Sequence, residues 1–431
     1  MVYVLDKNSH PLMPTNRHGK VKHLLRQGKA KVVKRTPFTI QLLYESNTYT
    51  QDIILGVDAG SKTIGLSATT NKQEVFAAEV IPRNDVVKLQ SERRALRRAR
   101  RNRKTRYRPA RFDNRVKSKH KGWFAPSVEV KIQEHITSIK RVSRLLPLSK
   151  IIIETAEFDL QRLKALEEQQ ALPQGTDYQQ GEQLGYYNTK QYILFRDNYS
   201  CQACGEHGKE IKLHIHHLES RKTGGNAPDN LITLCEHCHK ALHQGVLNEE
   251  NLKKRKRRST RDATFMGIMR KTLLNRLQDI LTMPIVETKG YYTKYVRVEK
   301  FELPKSHIND AYAMSQGAMG FKATKDTMAQ RATSTYLIKP VRHHNRKIHK
   351  LTILQGGVRK NNQAAPYTKG YRLFDKVSYN NQECFIFGRR QSGYFDLRLL
   401  DGTKIHASAS WKKLKLLERQ SNYLIERRAT G

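Results

Sequence analysis

Asp52-Ile53-Ile54-Leu55-Gly56-Val57-Asp58-Ala59-Gly60-Ser61-Lys62-Thr63-Ile64-Gly65-Leu66 decides how the rest of the chain is read. Ile53, Ile54, Leu55 and Val57 form a short apolar run, which predicts a strand buried on both faces. Asp58 ends that run, and Gly60 and Ser61 turn the chain into a second strand over 63–69. An acid there packs poorly but is well placed to hold a cation. A turn aspartate bonding its local backbone is the equal alternative. The balance moves downstream. Ile151-Ile152-Ile153 runs into Glu154, repeating the pattern, and Asp310 follows His307 at the start of an expected helix. Each acid alone reads as a cap or turn residue. Three acids at the ends of separated elements can converge on two divalent cations, which clamp the attacking and leaving oxygens of a phosphodiester.

The chain has 431 residues, enough for two to four domains, and a formal net charge of +41, with 80 Lys and Arg against 39 Asp and Glu. A compact fold of that charge repels itself unless a polyanion neutralises it, so nucleic acid is the expected partner. No apolar span or amphipathic anchor argues for a membrane, and Met1-Val2-Tyr3-Val4 opens no signal peptide. The expected location is cytoplasmic. Four of the five cysteines form two Cys-x-x-Cys pairs, a metal-binding pattern and not a disulfide one.

Residues 1–50 read as a small basic unit, with Pro11-Leu12-Met13-Pro14 as a stiff turn, a helix over 17–27 closed by Gly28, and strands over 30–33 and 38–44. Strands are expected at 53–57, 63–69 and 74–81, the antiparallel start of a mixed sheet. Residues 85–107 carry Arg93, Arg94, Arg97, Arg98, Arg100, Arg101, Arg103 and Arg106 with almost no acids. That predicts a cationic helix about 34 Å long, embedded in phosphates, where arginine suits bidentate contact. A solvated face is the alternative. An amphipathic helix over 127–146, capped by Ser127, presents Ile132, Ile136, Ile139 and Leu146. Residues 160–190 read as a Gln-rich linker. A helix is expected over about 263–281 and strands over 284–288 and 293–302. A small β barrel is expected over 371–417, with Asp401-Gly402 as a hairpin signal. Cys384 reads as a small buried hydrophobe.

Cys201-x-x-Cys204 and Cys235-x-x-Cys238 can close a tetrahedral four-thiolate zinc site. With no open coordination position, such a site is structural and folds the segment it clips. Between the pairs lie Leu213-His214-Ile215-His216-His217, Gly224-Gly225 and Asn230, and His239 follows the last cysteine. Strand alternation puts His214 and His216 on one face and His217 on the other. This segment resembles the HNH (ββα-metal) nuclease motif. The resemblance implies that His217 is the general base, that His216 and His239 hold a catalytic Mg, and that Asn230 orients the base or joins the metal shell. The family often has Asp where this chain has His216, and imidazole also suits Zn, Ni or Co.

Gly56-Val57-Asp58-x-Gly60, Ile152-Ile153-Glu154 and His307-x-x-Asp310-Ala311 together resemble a RuvC-type RNase H nuclease split in three, with Asp58, Glu154 and Asp310 on Mg and His307 assisting. The order of parts is similar to that of the large type II CRISPR effectors. With Pro11-Leu12-Met13-Pro14 in front, the chain resembles the transposon-encoded IscB family. The implied fold is an α/β multidomain protein, a split RNase H-like mixed sheet with an inserted zinc-containing HNH domain. The implied division is 1–50 (PLMP unit), 51–84, 111–165 and 251–325 (RuvC parts), 85–110 (arginine-rich bridge helix), 166–190 (linker), 191–250 (HNH) and 326–431 (RNA and target-adjacent motif). The resemblance further implies a monomeric ribonucleoprotein with a noncoding guide RNA (ωRNA). HNH would cut the guide-paired strand of double-stranded DNA, and RuvC the displaced strand. Arg93, Arg94, Arg97, Arg98 and Arg101 are the expected guide contacts, and 342–360 a further RNA grip. A small chain that delegates sequence reading to a guide needs only to hold A-form backbone and read a short motif. A guide-free homing-type HNH endonuclease and a non-enzymatic zinc-ribbon nucleic-acid-binding protein are the rival readings.

Overall fold

The computed structural model describes residues 1–101, 120, 122–155, 171–172, 177, 186, 188–208, 210–220, 228–248, 252, 261–318, 331–342 and 365–429, with backbone alone at 96, 98–101 and 261–263. The chain forms two compact units, Met1–Glu157 with Met269–Gly431, and Phe158–Ile268.

The N-terminal part contains β1 (Val2–Leu5), β2 (Pro11–Thr15), α1 (His18–Arg26), β3 (Ala30–Lys34) and β4 (Thr39–Leu42), in sheet order β2-β1-β4-β3. Val2, Val4, Leu12, Val21 and Ile40 make its core. Pro11-Leu12-Met13-Pro14 is a strand and not the expected turn. It lies at the sheet edge, where a proline's missing N–H leaves no ladder bond unmade. Gly28 follows α1 at φ +67°, as a helix-ending glycine should.

Next come β5 (Ile54–Ala59), β6 (Ile64–Thr69) and β7 (Glu74–Val80), each antiparallel to its predecessor. Helix α2 (Val86–Arg101) and helix α3 (Pro126–Ser143) precede β8 (Lys150–Glu154), which pairs parallel to β5. The apolar face of α3 is buried as expected at Ile132, Ile136 and Ile139. Ser127 does not cap it. Pro126 occupies its first turn, where no N–H is needed, and Ala125 stands at the cap position without a side-chain bond.

The inserted unit contains α4 (Thr189–Arg196), β9 (Leu213–His217), β10 (Leu231–Cys235) and α5 (Glu236–His243). Asn188 caps α4 by accepting from the Gln191 N–H at 3.0 Å. Cys201, Leu218, Ile232, Leu234, Cys235 and Cys238 form one core cluster. Gly224, Gly225 and almost all of the expected linker lie outside the described residues.

After α6 (Arg261–Gln278) and β11 (Ile285–Thr288), the strand expected over 293–302 is helical instead: α7 (Gly290–Tyr295) continues into a π-helical turn, Val296–Lys300. Its Tyr and Val content favours strand, but Thr293, Val296 and Arg297 are buried while Tyr291, Tyr292 and Tyr295 are exposed. That is a helical spacing, and packing overrides propensity. Helix α8 (His307–Gly317) and β12 (Ser334–Pro340) follow.

Strands β13 (Lys376–Tyr379), β14 (Gln382–Arg389), β15 (Tyr394–Arg398), β16 (Lys404–Ser410) and β17 (Lys415–Glu418) form a five-stranded sheet in the order β16-β15-β14-β13-β17. Its pairings do not close into the expected barrel. The two edge strands are nevertheless joined by 411–414 alone, most of it a 3-10 turn. A flat sheet of five strands is about 19 Å across, so this one must curl. Cys384 is fully buried in its core, as expected, and burial pushes its thiol up to about 11.

β18 (Tyr423–Ala429) returns to the central sheet, whose full order is β11-β8-β5-β6-β7-β12-β18. Two strands from beyond residue 325 therefore belong to this sheet, so 326–431 is not a separate C-terminal part.

Candidate catalytic centres

The seven-stranded sheet gathers the carboxylates. Asp58 and Glu154 occupy matched positions on the parallel pair β5 and β8. Helix α8 begins with Ser306 accepting from the Asn309 N–H at 3.1 Å, which fixes Asp310 in its first turn. The helix lies unusually close to β5 and β6. A Cβ at Gly56 would run into the Ala311 carbonyl oxygen, and one at Gly65 into that of His307. Bare backbone at these two positions lets His307 and Asp310 reach the end of β5.

His307 Nδ1 stands 2.6 Å from Asp58 Oδ2, and this hydrogen bond raises the imidazole's pKa. Glu154 is shifted upward by burial and then by the charges of Asp58 and Asp310, although Thr293 bonds its side chain. Asp310 is raised by burial and by Asp58. Arg297 opposes that shift: its buried guanidinium places Nε 2.7 Å from Asp310 Oδ1 and donates from NH1 to the Leu303 carbonyl at 2.8 Å. All three acids thus lie within electrostatic reach of one another. Desolvated like charges are what a cation would relieve. Their carboxylates are spread more widely than two other groups: among the described residues only a thiol set and an imidazole set close to within 4.8 Å.

The imidazole set lies in the inserted unit. β9 pairs antiparallel with β10, setting His216 opposite Ile232 and His217 opposite Leu231. Helix α5 then carries His239 and His243 one turn apart, on one face. His216, His239 and His243 form the ligand-capable group. Their ring centroids lie 5.4 Å (His216 to each of the others) and 4.6 Å (His239 to His243) apart. His214 stacks on His239 at 5.1 Å. Burial, then the neighbouring His243 and His214, lowers the His239 pKa and favours the neutral ring a metal needs. His217 is not in this group, in keeping with strand alternation. His243 escaped the sequence reading, though His239-x-x-x-His243 is a helical i, i+4 pair directly after the last cysteine.

Asn230 is buried and does not belong to the imidazole group. Its Oδ1 accepts from the Glu219 N–H at 2.8 Å and its Nδ2 donates to the Glu219 carbonyl at 3.0 Å. These two bonds clamp the chain leaving His217.

Cys201, Cys204, Cys235 and Cys238 are reduced and within 4.8 Å of one another, with Cys204 and Cys235 sulfurs 3.7 Å apart. Four sulfurs at 2.3 Å from a tetrahedral centre stand about 3.8 Å apart, so the set fits zinc. Burial opposes ionisation of Cys201, but N–H groups of Cys204, Cys235 and Ala203 outweigh it and bring the thiol to about 7. Cys235 also caps α5, so this clip and the imidazole-bearing helix share a residue.

Of the expected guide contacts, Arg93 and Arg94 are exposed and Arg97 is half-buried on α2. The side chains of Arg98 and Arg101 lie outside the described residues, as do 102–110 of the expected bridge helix and all of 342–360 beyond Arg342.

A family model described as RRXRR protein matches residues 2–181, and one described as HNH endonuclease matches residues 201–245. These two matches support an IscB/Cas9-like RuvC/HNH nuclease family for this chain. No curated protein matches this chain significantly. Among solved structures it is similar to Streptococcus thermophilus Cas9 in complex with the GGAA PAM (14% identity, TM-score 0.32, 53% of this chain and 30% of that one). The complex with the AGAA PAM gives 12% identity, TM-score 0.33 and coverage of 64% and 32%. The type II-C Cas9 of Actinomyces naeslundii gives 11%, 0.16, 62% and 60%. The chain thus spans about a third of the length of the S. thermophilus chains. No described helix is long and apolar enough to cross a membrane.

Proposed function

We propose that this protein is an RNA-guided endonuclease that cuts both strands of a DNA duplex at two separate metal centres. The observation that carries the reading is the coexistence, in one chain of net charge +41, of a nitrogen-only ligand group in an HNH unit and a separate carboxylate cluster on a sheet. The first belongs to the guide-paired strand and the second to the displaced strand.

In the HNH unit, His216, His239 and His243 would hold a cation, and His217 takes the proton of the attacking water. Asn230 keeps the His217 end of β9 in place, and the four cysteines hold zinc and fix α5. At the sheet, Asp58 and Glu154 on β5 and β8 and Asp310 in the first turn of α8 would hold Mg, and His307, hydrogen-bonded through Nδ1 to Asp58, exchanges a proton at its other ring nitrogen. Cations held by these residues would neutralise phosphate charge and stabilise the attacking and leaving oxygens. Arg93, Arg94, Arg97, Arg98 and Arg101 bind the guide backbone, and the part beyond 326 binds RNA and reads a short motif beside the target. The ribonucleoprotein is monomeric and acts in the cytoplasm.

The test is to purify the protein from its native locus, sequence the RNA that accompanies it, and assay cleavage before and after RNase. One discrete noncoding RNA and RNase-sensitive cutting support the reading. Site-specific cutting by RNA-free protein supports a homing-type HNH enzyme instead. Binding without any cutting in Mg supports a zinc-ribbon binding protein.

A further inference from the structure

Helix α7 and the π-helical turn after it present two different stripes. Gly290, Thr293 and Arg297 lie three and four residues apart and face inward. A Cβ at Gly290 would meet Glu154 Oε1 at 3.0 Å, Thr293 bonds the Glu154 side chain, and Arg297 pairs with Asp310. This stripe is the wall of the acid cluster. The other stripe is Tyr291, Tyr292 and Tyr295, related by the same spacing and exposed at 67%, 46% and 50%.

Single exposed aromatics need no explanation. Three on one helical face do. Lys289 Nζ lies 5.8 Å from the centre of the Tyr291 ring and Lys300 Nζ 5.6 Å from that of Tyr295. From 289 to 300, apart from the buried Arg297, the chain carries Lys289, Lys294 and Lys300 against one acid, Glu299. Flat rings with an ammonium group near the faces of two of them suit a single strand of nucleic acid: bases stack on the open ring faces and phosphates meet the lysines. A duplex hides its base faces and gains nothing from such a surface.

We propose that Tyr291, Tyr292 and Tyr295 form a stacking platform for single-stranded DNA, which it delivers to the carboxylate cluster on the opposite stripe of the same helix. The proposal rests on the reading of Asp58, Glu154 and Asp310 as a cutting site for the displaced strand. About one helix diameter, ~10 Å, separates the platform from the acids. The strand is DNA because the platform adjoins a cutting site, where a guide would be destroyed.

The experiment titrates the full-length protein, without divalent cation, against a single-stranded DNA oligonucleotide containing 2-aminopurine. The wild type binds and quenches the fluorophore by stacking. The triple variant Tyr291→Ala, Tyr292→Ala, Tyr295→Ala binds at least about tenfold more weakly and loses the quench, whereas the triple Phe variant keeps both. Equal binding and quench in the Ala variant, an equal loss in the Phe variant, or a loss confined to an RNA oligonucleotide overturns the proposal. Asp58→Ala reports on the cutting site independently. If it leaves both nicks intact while the Ala triple loses stacking, the platform stands and the cutting assignment falls. If it removes one nick while the Ala triple behaves as wild type, the cutting assignment stands and the platform falls.

Discussion

Asp58 and Glu154 stand opposite each other in register on the neighbouring parallel strands β5 and β8, nearly a hundred residues apart in sequence. Burial and the charges of Asp58 and Asp310 raise the Glu154 pKa. A group whose folded-state pKa lies above its unfolded value contributes stability below the unfolded value and loses it as pH rises through the folded one. Ionised Glu154 therefore strains the metal-free fold at neutral pH. Glu154→Gln should raise Tm in chelator at pH 7.5, and the gain should shrink to nothing as pH falls toward 4. Added Mg should stabilise the wild type more than this variant. Differential scanning calorimetry across pH checks both.

The approach of α8 to the sheet depends on glycine. Gly65→Ala sets a Cβ against the His307 carbonyl oxygen and must push the helix away or deform β6. Overpacking of this kind costs about 1–3 kcal/mol. Urea unfolding should show that loss. The variant should also lose most cutting of one strand while the HNH-assigned cut persists.

The thiol clip should govern the inserted unit alone. Cys238→Ser leaves three thiols round the metal, and a four-thiolate site carries on the order of 10 kcal/mol of folding free energy in small domains. Elemental analysis should find one zinc per wild-type chain and less in the variant. Hydrogen exchange should show protection lost across β9, β10 and α5 and kept in β5 to β8.

His243 completes the imidazole group with His216 and His239. His243→Ala should weaken metal binding at that site by at least about tenfold, in line with losses from outer-shell partners of metal ligands. A Co or Ni titration followed by calorimetry reads this directly, and excess metal should restore part of the HNH-assigned cut. His214→Ala, which removes a stacked ring and no member of the group, should cost less.

What was legible in the sequence was what leaves a local mark. Ile53 to Val57 and Ile151 to Ile153 announce buried strands because both faces are apolar, and Asp58 and Glu154 stand out against them. The Cys-x-x-Cys pairs and the His-rich strand carry their own spacing. Long-range and packing-dependent features left none. β12 and β18 join the central sheet by pairing across 83 residues or more, from Pro340 with Tyr423 outward to Leu337 with Glu426 and beyond, with no sign in either segment alone. α7 was hidden because Tyr and Val favour strand and only burial of Thr293, Val296 and Arg297 reveals the helix. Pro11-Leu12-Met13-Pro14 looks like a turn until a sheet edge accommodates it. Arg297 gave no hint of its place on Asp310, because an ion pair across a fold has no sequence spacing.

The central claim is two independent metal centres, one for each DNA strand. It is tested most directly by cleavage of a duplex labelled differently on its two strands, using wild type, Asp58→Ala and His217→Ala with the co-purified RNA. Asp58→Ala is expected to lose the cut in the displaced strand and His217→Ala the cut in the guide-paired strand, the latter by about a hundredfold or more, the loss typical of a missing catalytic base. Loss of both cuts in either variant, with folding and DNA binding intact, would contradict it.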